Sequence, residues 1–218
     1  MEVKYYIDGV DLKTYGVSVS GSEGLLSRPK IKAPVSMSWE GYHGDVIDVS
    51  KRRYESRQIS IDCFIVANDN IDLIAKFNAF AAVFDKTGLR QLLVSVEPAE
   101  PLAYMVLLEE SIDIKKIWGE TQVVGTFTLN LREPEPVKKV LRYTRSDVAS
   151  KTVSITVTSA KMLNIYWGDG TFTYDVSGTA VTVTHDYAVN GRFYIVVTGN
   201  IEEITSLTST GAIVWNKL

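Results

Sequence analysis

Cysteine, histidine and long apolar runs are all scarce in this sequence, and each scarcity closes off a class of chemistry. Cys63 is the only cysteine, so no disulfide forms within the chain and no cysteine-rich metal site is available. His43 and His185 are the only histidines, which leaves a metal ion without a partner set. No apolar run approaches the roughly 20 residues that span a bilayer, and no basic region leads into an apolar stretch at the N-terminus. Nor is there a Gly-x-Ser-x-Gly elbow, a phosphate-binding glycine loop or a His-Glu-x-x-His helix. The expectation is a non-enzymatic protein with no catalytic residue, cofactor or metal, no membrane insertion, and synthesis in the cytoplasm without a signal peptide.

What is present is the material for packed cores. The chain has 218 residues, 45% hydrophobic and 22% charged, an ordinary globular composition long enough for two domains. Its net charge is -3. Up to residue 135 there are 15 basic and 20 acidic residues, and beyond it 8 and 6, giving -5 and +2. So mild a contrast argues against nucleic acid as a partner.

Along the chain, Ile7-Asp8-Gly9-Val10-Asp11-Leu12 reads as a hairpin, because Asp-Gly supplies positive backbone φ. Glycines and prolines between Gly21 and Gly44 predict a long loop, a common site of contacts between molecules. Ile59, Ile61, Cys63 and Ile65 alternate as on a half-buried strand. Ile71, Ile74, Phe77, Ala81 and Phe84, with Leu73 and Phe80 beside them, recur at helical spacing. Asn68, Asp69 or Asn70 can cap that helix, and Gly88 stands where it is expected to end. Further β-like segments follow to Leu131. The pattern breaks at Arg132-Glu133-Pro134-Glu135-Pro136-Val137-Lys138-Lys139, where proline favours an extended linker. Beyond it, Val153, Ile155 and Val157, then Phe193, Ile195 and Val197, alternate with no helical period. The fold class is therefore mainly β. Residues 1–135 form an α+β domain, an antiparallel sandwich or barrel-like sheet with one amphipathic helix, and residues 136–218 an all-β sandwich.

The segment Trp167-Gly168-Asp169-Gly170-Thr171, with His185-Asp186-Tyr187 and the strand from Gly191, resembles the polycystic-kidney-disease (PKD) type of immunoglobulin-like domain. That resemblance covers roughly residues 148 to 200 and implies a binding or spacer module. Phe193 stands where tyrosine is usual. The N-terminal part resembles the distal tail protein of siphophages through Tyr6-Ile7-Asp8-Gly9-Val10-Asp11-Leu12, Tyr15-Gly16-Val17, Arg53-Tyr54-Glu55-Ser56-Arg57-Gln58-Ile59, the helix, and the strand ending at Leu131. This second resemblance implies a tail-tip or baseplate hub protein that assembles with itself, commonly as a hexameric ring, beside other tail proteins in the virion tail, after synthesis in a bacterial host.

Individual residues carry plainer readings beside sharper ones. Asp169 between glycines reads as a turn cap rather than a calcium ligand, since calcium wants six to eight oxygens. His185 reads as a hydrogen-bonded neighbour of Trp167, and Tyr187 as part of the same motif. Cys63 reads as a buried, inert thiol. Lys51-Arg52-Arg53 with Arg57 reads as a solvated or interface-facing strand entry, whose guanidiniums suit carboxylates of the next subunit. With Tyr42 and His43 in the glycine-flanked loop, Arg52, Arg53 and Arg57 form the expected subunit interface. The alternative is a cell-surface adhesin or carbohydrate-binding protein that recognises a host-surface glycan through the PKD-like part.

Overall fold

Asp8 and Gly9 both adopt left-handed backbone, with φ of 48° and 81°, and close a two-residue turn whose twist matches that of the flanking strands. They join β1 (Val3–Ile7) to β2 (Val10–Asp11), with Ile7 opposite Val10. The computed structural model describes residues 3–48, 50, 52–118 and 122–217. A short 3-10 turn at Leu12–Tyr15 follows, where the Asp11 carboxylate accepts from the Lys13 amide at 2.9 Å. β3 (Val17–Glu23) then runs straight through Gly21, taking up the irregularity as a bulge after Val19. The expected loop thus starts only past Glu23. It is not structureless: it contains a hairpin of β4 (Ser36–Ser38) and β5 (Asp45–Ile47), which form a two-stranded sheet of their own.

β6 (Arg57–Ala67) has the predicted alternation, with Ile59, Ile61, Cys63 and Ile65 all buried. Helix α1 (Asn70–Ala81) starts at Asp69, whose carboxylate accepts from the Asp72 amide at 2.8 Å. The apolar stripe differs from the one expected. Ile71 is 79% exposed, and Ile74 faces solvent too, while Leu73 and Phe80 are buried with Phe77 half-buried beside them. Residues 73, 77, 80 and 84 lie within about 60° of one another on a helical wheel, whereas 71 points nearly opposite. Aromatic packing selects that face: Phe77 and Phe80 contact Phe127, and Phe80 also meets Tyr15 and Phe84. The helix ends at Ala81, well before Gly88, because tighter turns from Val83 to Phe80 and Phe84 to Ala81 close it. Gly88, with φ of 86°, instead turns the chain into the next strand against the Phe172 ring.

β7 (Arg90–Val96), β8 (Leu102–Leu108), β9 (Lys115–Trp118) and β10 (Val123–Glu133) complete an eight-stranded antiparallel sheet ordered β2-β1-β7-β8-β10-β6-β3, with β9 on β10. β8 and β10 pair only at Leu108↔Leu131 and Leu107↔Arg132. The sheet bends there, so both halves enclose one core containing Ile7, Leu12, Ile61, Tyr104 and Leu129, capped by Phe80 of α1.

The following segment was expected to be an extended linker, and the structure makes it a buried clamp. Glu133, the last residue of β10, is fully buried, as is Lys138 five residues on. Arg57, opposite Glu133 in the β6–β10 register, is 6% exposed. The Lys138 ammonium bonds Glu133 directly, and the Arg57 Nε lies 3.4 Å from the other carboxylate oxygen, an ion-pair contact rather than a hydrogen bond. Both cations also sit over the Tyr104 ring, at 5.3 Å and 4.5 Å from its centroid, where the ring face offsets part of their lost hydration. Burial pushes Lys138 down to about 8 and raises Glu133. Proline does not loosen this stretch, because it is pinned on both sides.

β11 (Lys139–Arg145), β12 (Thr152–Tyr166), β13 (Phe172–Asp186), β14 (Gly191–Gly199), β15 (Ile204–Ser209) and β16 (Ala212–Trp215) form a six-stranded antiparallel sheet ordered β13-β12-β14-β11-β16, with β15 on β12. Bulges along β12 fold this sheet around its own core of Leu141, Ile155, Leu163, Trp167 and Ile195. The two sheets then pack on each other: Leu93, Ala103 and Met105 meet Val140, Tyr166, Tyr194 and Val196 in a third cluster. Gln91 Nε2 donates to the Tyr194 carbonyl at 2.6 Å across this contact, and Trp215 Nε1 to that of Pro101 at 3.2 Å. The molecule is mainly β, as expected.

Glu133→Gln leaves two buried cations without an anion and should lower unfolding free energy by about 3–5 kcal/mol. Lys138→Met removes only the cation in excess of Arg57 and should cost less than about 1 kcal/mol. Urea unfolding of the two variants checks the order, and equal losses would show that Lys138 is an indispensable partner.

Candidate interaction surfaces

Five residues were expected to share a subunit interface, and the fold distributes them over three places. Tyr42 and His43 lie at the tip of the β4–β5 hairpin, both exposed. Arg52 and Arg53 lie at its root, where Arg53 pairs with Glu202 in the 3-10 turn between β14 and β15 and Lys217 joins the same carboxylate at 2.9 Å. Arg57 is in the buried clamp and cannot face a neighbour. Lys51 lies outside the described residues. The carboxylates that sequence reasoning assigned to a second subunit are supplied, for Arg53 and Arg57, by this chain itself.

Sequence reasoning missed the side chains of the hairpin. Val35, Met37 and Trp39 alternate with Ser36 and Ser38, and Met37 stands opposite Val46. These four apolar side chains therefore share one face, and they are 67%, 54%, 58% and 51% exposed. The period-two signal was present in Val35-Ser36-Met37-Ser38-Trp39 but was masked by the surrounding glycines and prolines. An isolated two-stranded ribbon is marginally stable in water. Here it also presents an uncovered apolar face, the kind of surface that marks a contact site.

The Trp167–Thr171 segment is a fully satisfied turn. Gly168 and Gly170 both have φ of 88°, and a Cβ on Gly168 would meet the Tyr194 carbonyl at 2.7 Å. Asp169 accepts from the Thr171 amide at 3.0 Å and hydroxyl at 2.5 Å, while its other oxygen holds His185 Nε2 at 2.7 Å. The His185 ring stacks on Trp167 at 5.0 Å and meets Tyr187 edge-on. The Tyr187 hydroxyl, which burial pushes up, donates to the Trp167 carbonyl at 2.7 Å, and its ring stacks on Phe193. Partial burial alone would raise Asp169, yet bonds from Thr171 and His185 outweigh it and hold the carboxyl below its ordinary 3.8. Asp169, His185 and Tyr187 thus lock Trp167 in place.

Cys63 is buried, and burial together with neighbouring Asp62 pushes its thiol up to about 12, which removes the thiolate needed for nucleophilic chemistry. Among the described residues no group of three or more His, Cys, Asp or Glu is placed to hold a metal ion, and no helix is long and apolar enough to cross a membrane.

A model of the phage tail protein RIFT-related domain matches residues 10–132, more than half of the 218. The chain belongs to that family of phage tail proteins. Among solved structures it is similar to the Dit protein of phage SPP1, described as a paradigm of hub adsorption apparatus, at 17% identity over 97% of this chain and 83% of that one, with a TM-score of 0.48. It is also similar to a chain of the phage P2 baseplate in its activated conformation with Ca, at 6% identity over 91% and 99%, with a TM-score of 0.49. No curated protein matches it.

Asp169→Asn should cost about 1.5–3 kcal/mol by weakening charge-assisted bonds that hold the turn. Since the folded carboxyl is held below its ordinary 3.8, this stabilisation is complete above that pH and fades as pH falls through the depressed value. The gap between wild-type and variant in chemical unfolding should therefore be constant near neutrality and close at strongly acid pH. A gap independent of pH would refute a role for the charge. Separately, Cys63 should resist a thiol-reactive dye at pH 8 in the native protein and react at once in denaturant.

Proposed function

We propose that this chain is a non-enzymatic structural part of a phage tail tip that assembles with itself into a ring. In this reading residues 1–135 form the ring-building domain, and residues 136–218 a peripheral PKD-like sandwich. The observation that carries it is the β4–β5 hairpin, whose apolar face of Val35, Met37, Trp39 and Val46 is left to solvent by its own chain. A closed ring uses head-to-tail contacts, so every subunit must offer two different complementary patches. A projecting hairpin is suited to be one of them. Family membership supports the tail location, and the distal-tail resemblance supports a hexamer beside other tail proteins. Trp167, Asp169, His185 and Tyr187 serve the second sandwich as its internal lock, a role in stiffness rather than ligand binding.

A second reading, glycan recognition by the outer module, has one observation in its favour. Phe172 and Tyr174 are partly exposed and stack at 4.3 Å, and aromatic faces suit sugars.

Light scattering of the intact chain should give an oligomeric mass, and the double variant Trp39→Ser, Tyr42→Ser should give a monomer with an unchanged melting midpoint, since both side chains are exposed. An intact chain that is monomeric at all concentrations and binds strongly on a glycan array would overturn the ring reading in favour of the second.

A further inference from the structure

The proline segment and the root of the hairpin meet in a cationic groove. One cavity of about 170 Å³ is walled by Arg52, Arg53, Glu135 and Glu202, and a second of about 210 Å³ by Arg28 and Lys217. Tyr54 and Val137 line both, so the two are halves of one groove. Its walls are fixed in place. Ile31 bridges Tyr54, the Lys32 amide donates to the Arg53 carbonyl at 2.9 Å, and the Glu55 amide donates to that of Lys30 at 2.7 Å. These bonds set the arm carrying Arg28 beside the arm carrying Arg52. Pro136 and Ile201 are buried, and the contact of Lys138 with Glu133 pins the segment that carries Glu135.

The groove holds four cations, Arg28, Arg52, Arg53 and Lys217, against two carboxylates, Glu135 and Glu202, a surplus of two positive charges. That surplus stands against the sign of the whole chain, whose net charge is -3. Both carboxylates are engaged: Glu202 takes Arg53 and Lys217, and one Glu135 oxygen accepts from the Thr198 hydroxyl at 2.5 Å. Arg28 and Arg52 are exposed and, among the described residues, pair with no carboxylate. Two free guanidinium forks suit bidentate bonds to carboxylates. Each half of the groove is smaller than the roughly 300 Å³ at which small-molecule sites begin, so each takes one side chain, and a partner filling both is an extended segment. A nucleic-acid strand instead needs an open row of cations to displace its counterions. This chain has no run of more than two adjacent carboxylates, at Glu109-Glu110 and Glu202-Glu203. Glu109 is held by Arg132, Glu110 by Asn130, and Glu202 by the groove itself. A longer acidic run therefore belongs to a different protein.

We infer that the groove lined by Arg28, Arg52 and Tyr54 binds an acidic segment of another protein. The inference does not rest on the ring reading, because the groove is complete within a single chain.

Fluorescence anisotropy of the full chain with labelled hexaglutamate, compared with hexaglutamine, tests it. Hexaglutamate should bind, more weakly as salt rises, and hexaglutamine should not. The double variant Arg28→Gln, Arg52→Gln should weaken binding at least about tenfold at an unchanged melting midpoint, since neither side chain has an ion-pair partner to lose. Lys86→Gln with Lys115→Gln, both exposed and outside the groove's lining, makes the same change in net charge and should leave binding intact. An equal fall in the two double variants overturns the inference, because a diffuse field would then suffice, and so does an absence of binding at low salt. Tighter binding of an oligothymidylate than of hexaglutamate overturns it in favour of nucleic acid. A smaller oligomeric mass in the Arg28→Gln, Arg52→Gln variant overturns it in favour of a second copy. The mass of the intact chain decides the ring reading separately.

Discussion

A carboxylate removed from water must be matched by cations or it prevents folding, and Glu133 meets that condition only where two parts of the chain come together. Arg57 reaches it across the β6–β10 ladder, and Lys138 reaches it from the residue that opens the second sheet. Because the partners lie on either side of Pro134 and Pro136, the clamp dictates the path by which the chain leaves one sheet and enters the next. Removing the shared carboxylate, which strands two buried cations, costs far more than the cluster contributes over an apolar core. It therefore acts as a registry device more than as a source of stability.

From that fixed path follow the other long-range contacts. The faces of β7 and β8 are held against β11, β12 and β14, so Gln91 and Trp215 find their carbonyl partners. Arg53 at the hairpin root meets Glu202 for the same reason. These contacts join the two sheets through one apolar cluster and two side-chain hydrogen bonds. Two tryptophans illustrate a contrast within the molecule. Trp167 is 1% exposed and bonds Thr173 through its Nε1, whereas Trp39 stands in solvent on a ribbon with no core of its own. The first is a completed piece of structure; the second is left to solvent by its own chain.

Much of this was legible in advance, and for local reasons. The Asp8-Gly9 turn, the alternation in β6, the Asp69 cap and the Asp169 turn each depend on backbone preference or on bonds within a few residues, which a linear pattern records. The helix was found but its inner face misjudged, because Ile71 and Leu73 are equally apolar. Only Phe127, Tyr15 and Phe84 decide which of them turns inward. The loop after Gly21 was misread because glycine and proline density obscured a short alternating run.

The order of residues by itself determined that the chain is mainly β, that it contains one capped helix, and that it is poor in cysteine and histidine. Those properties are set by side-chain type and by spacing of two or three to four residues. Tertiary structure alone decided that the proline segment is a clamp and that Arg57 is buried rather than offered to a neighbour. Each of these depends on groups dozens of residues apart meeting in a medium where charge and apolar surface can no longer be satisfied by water, and no local pattern encodes that meeting.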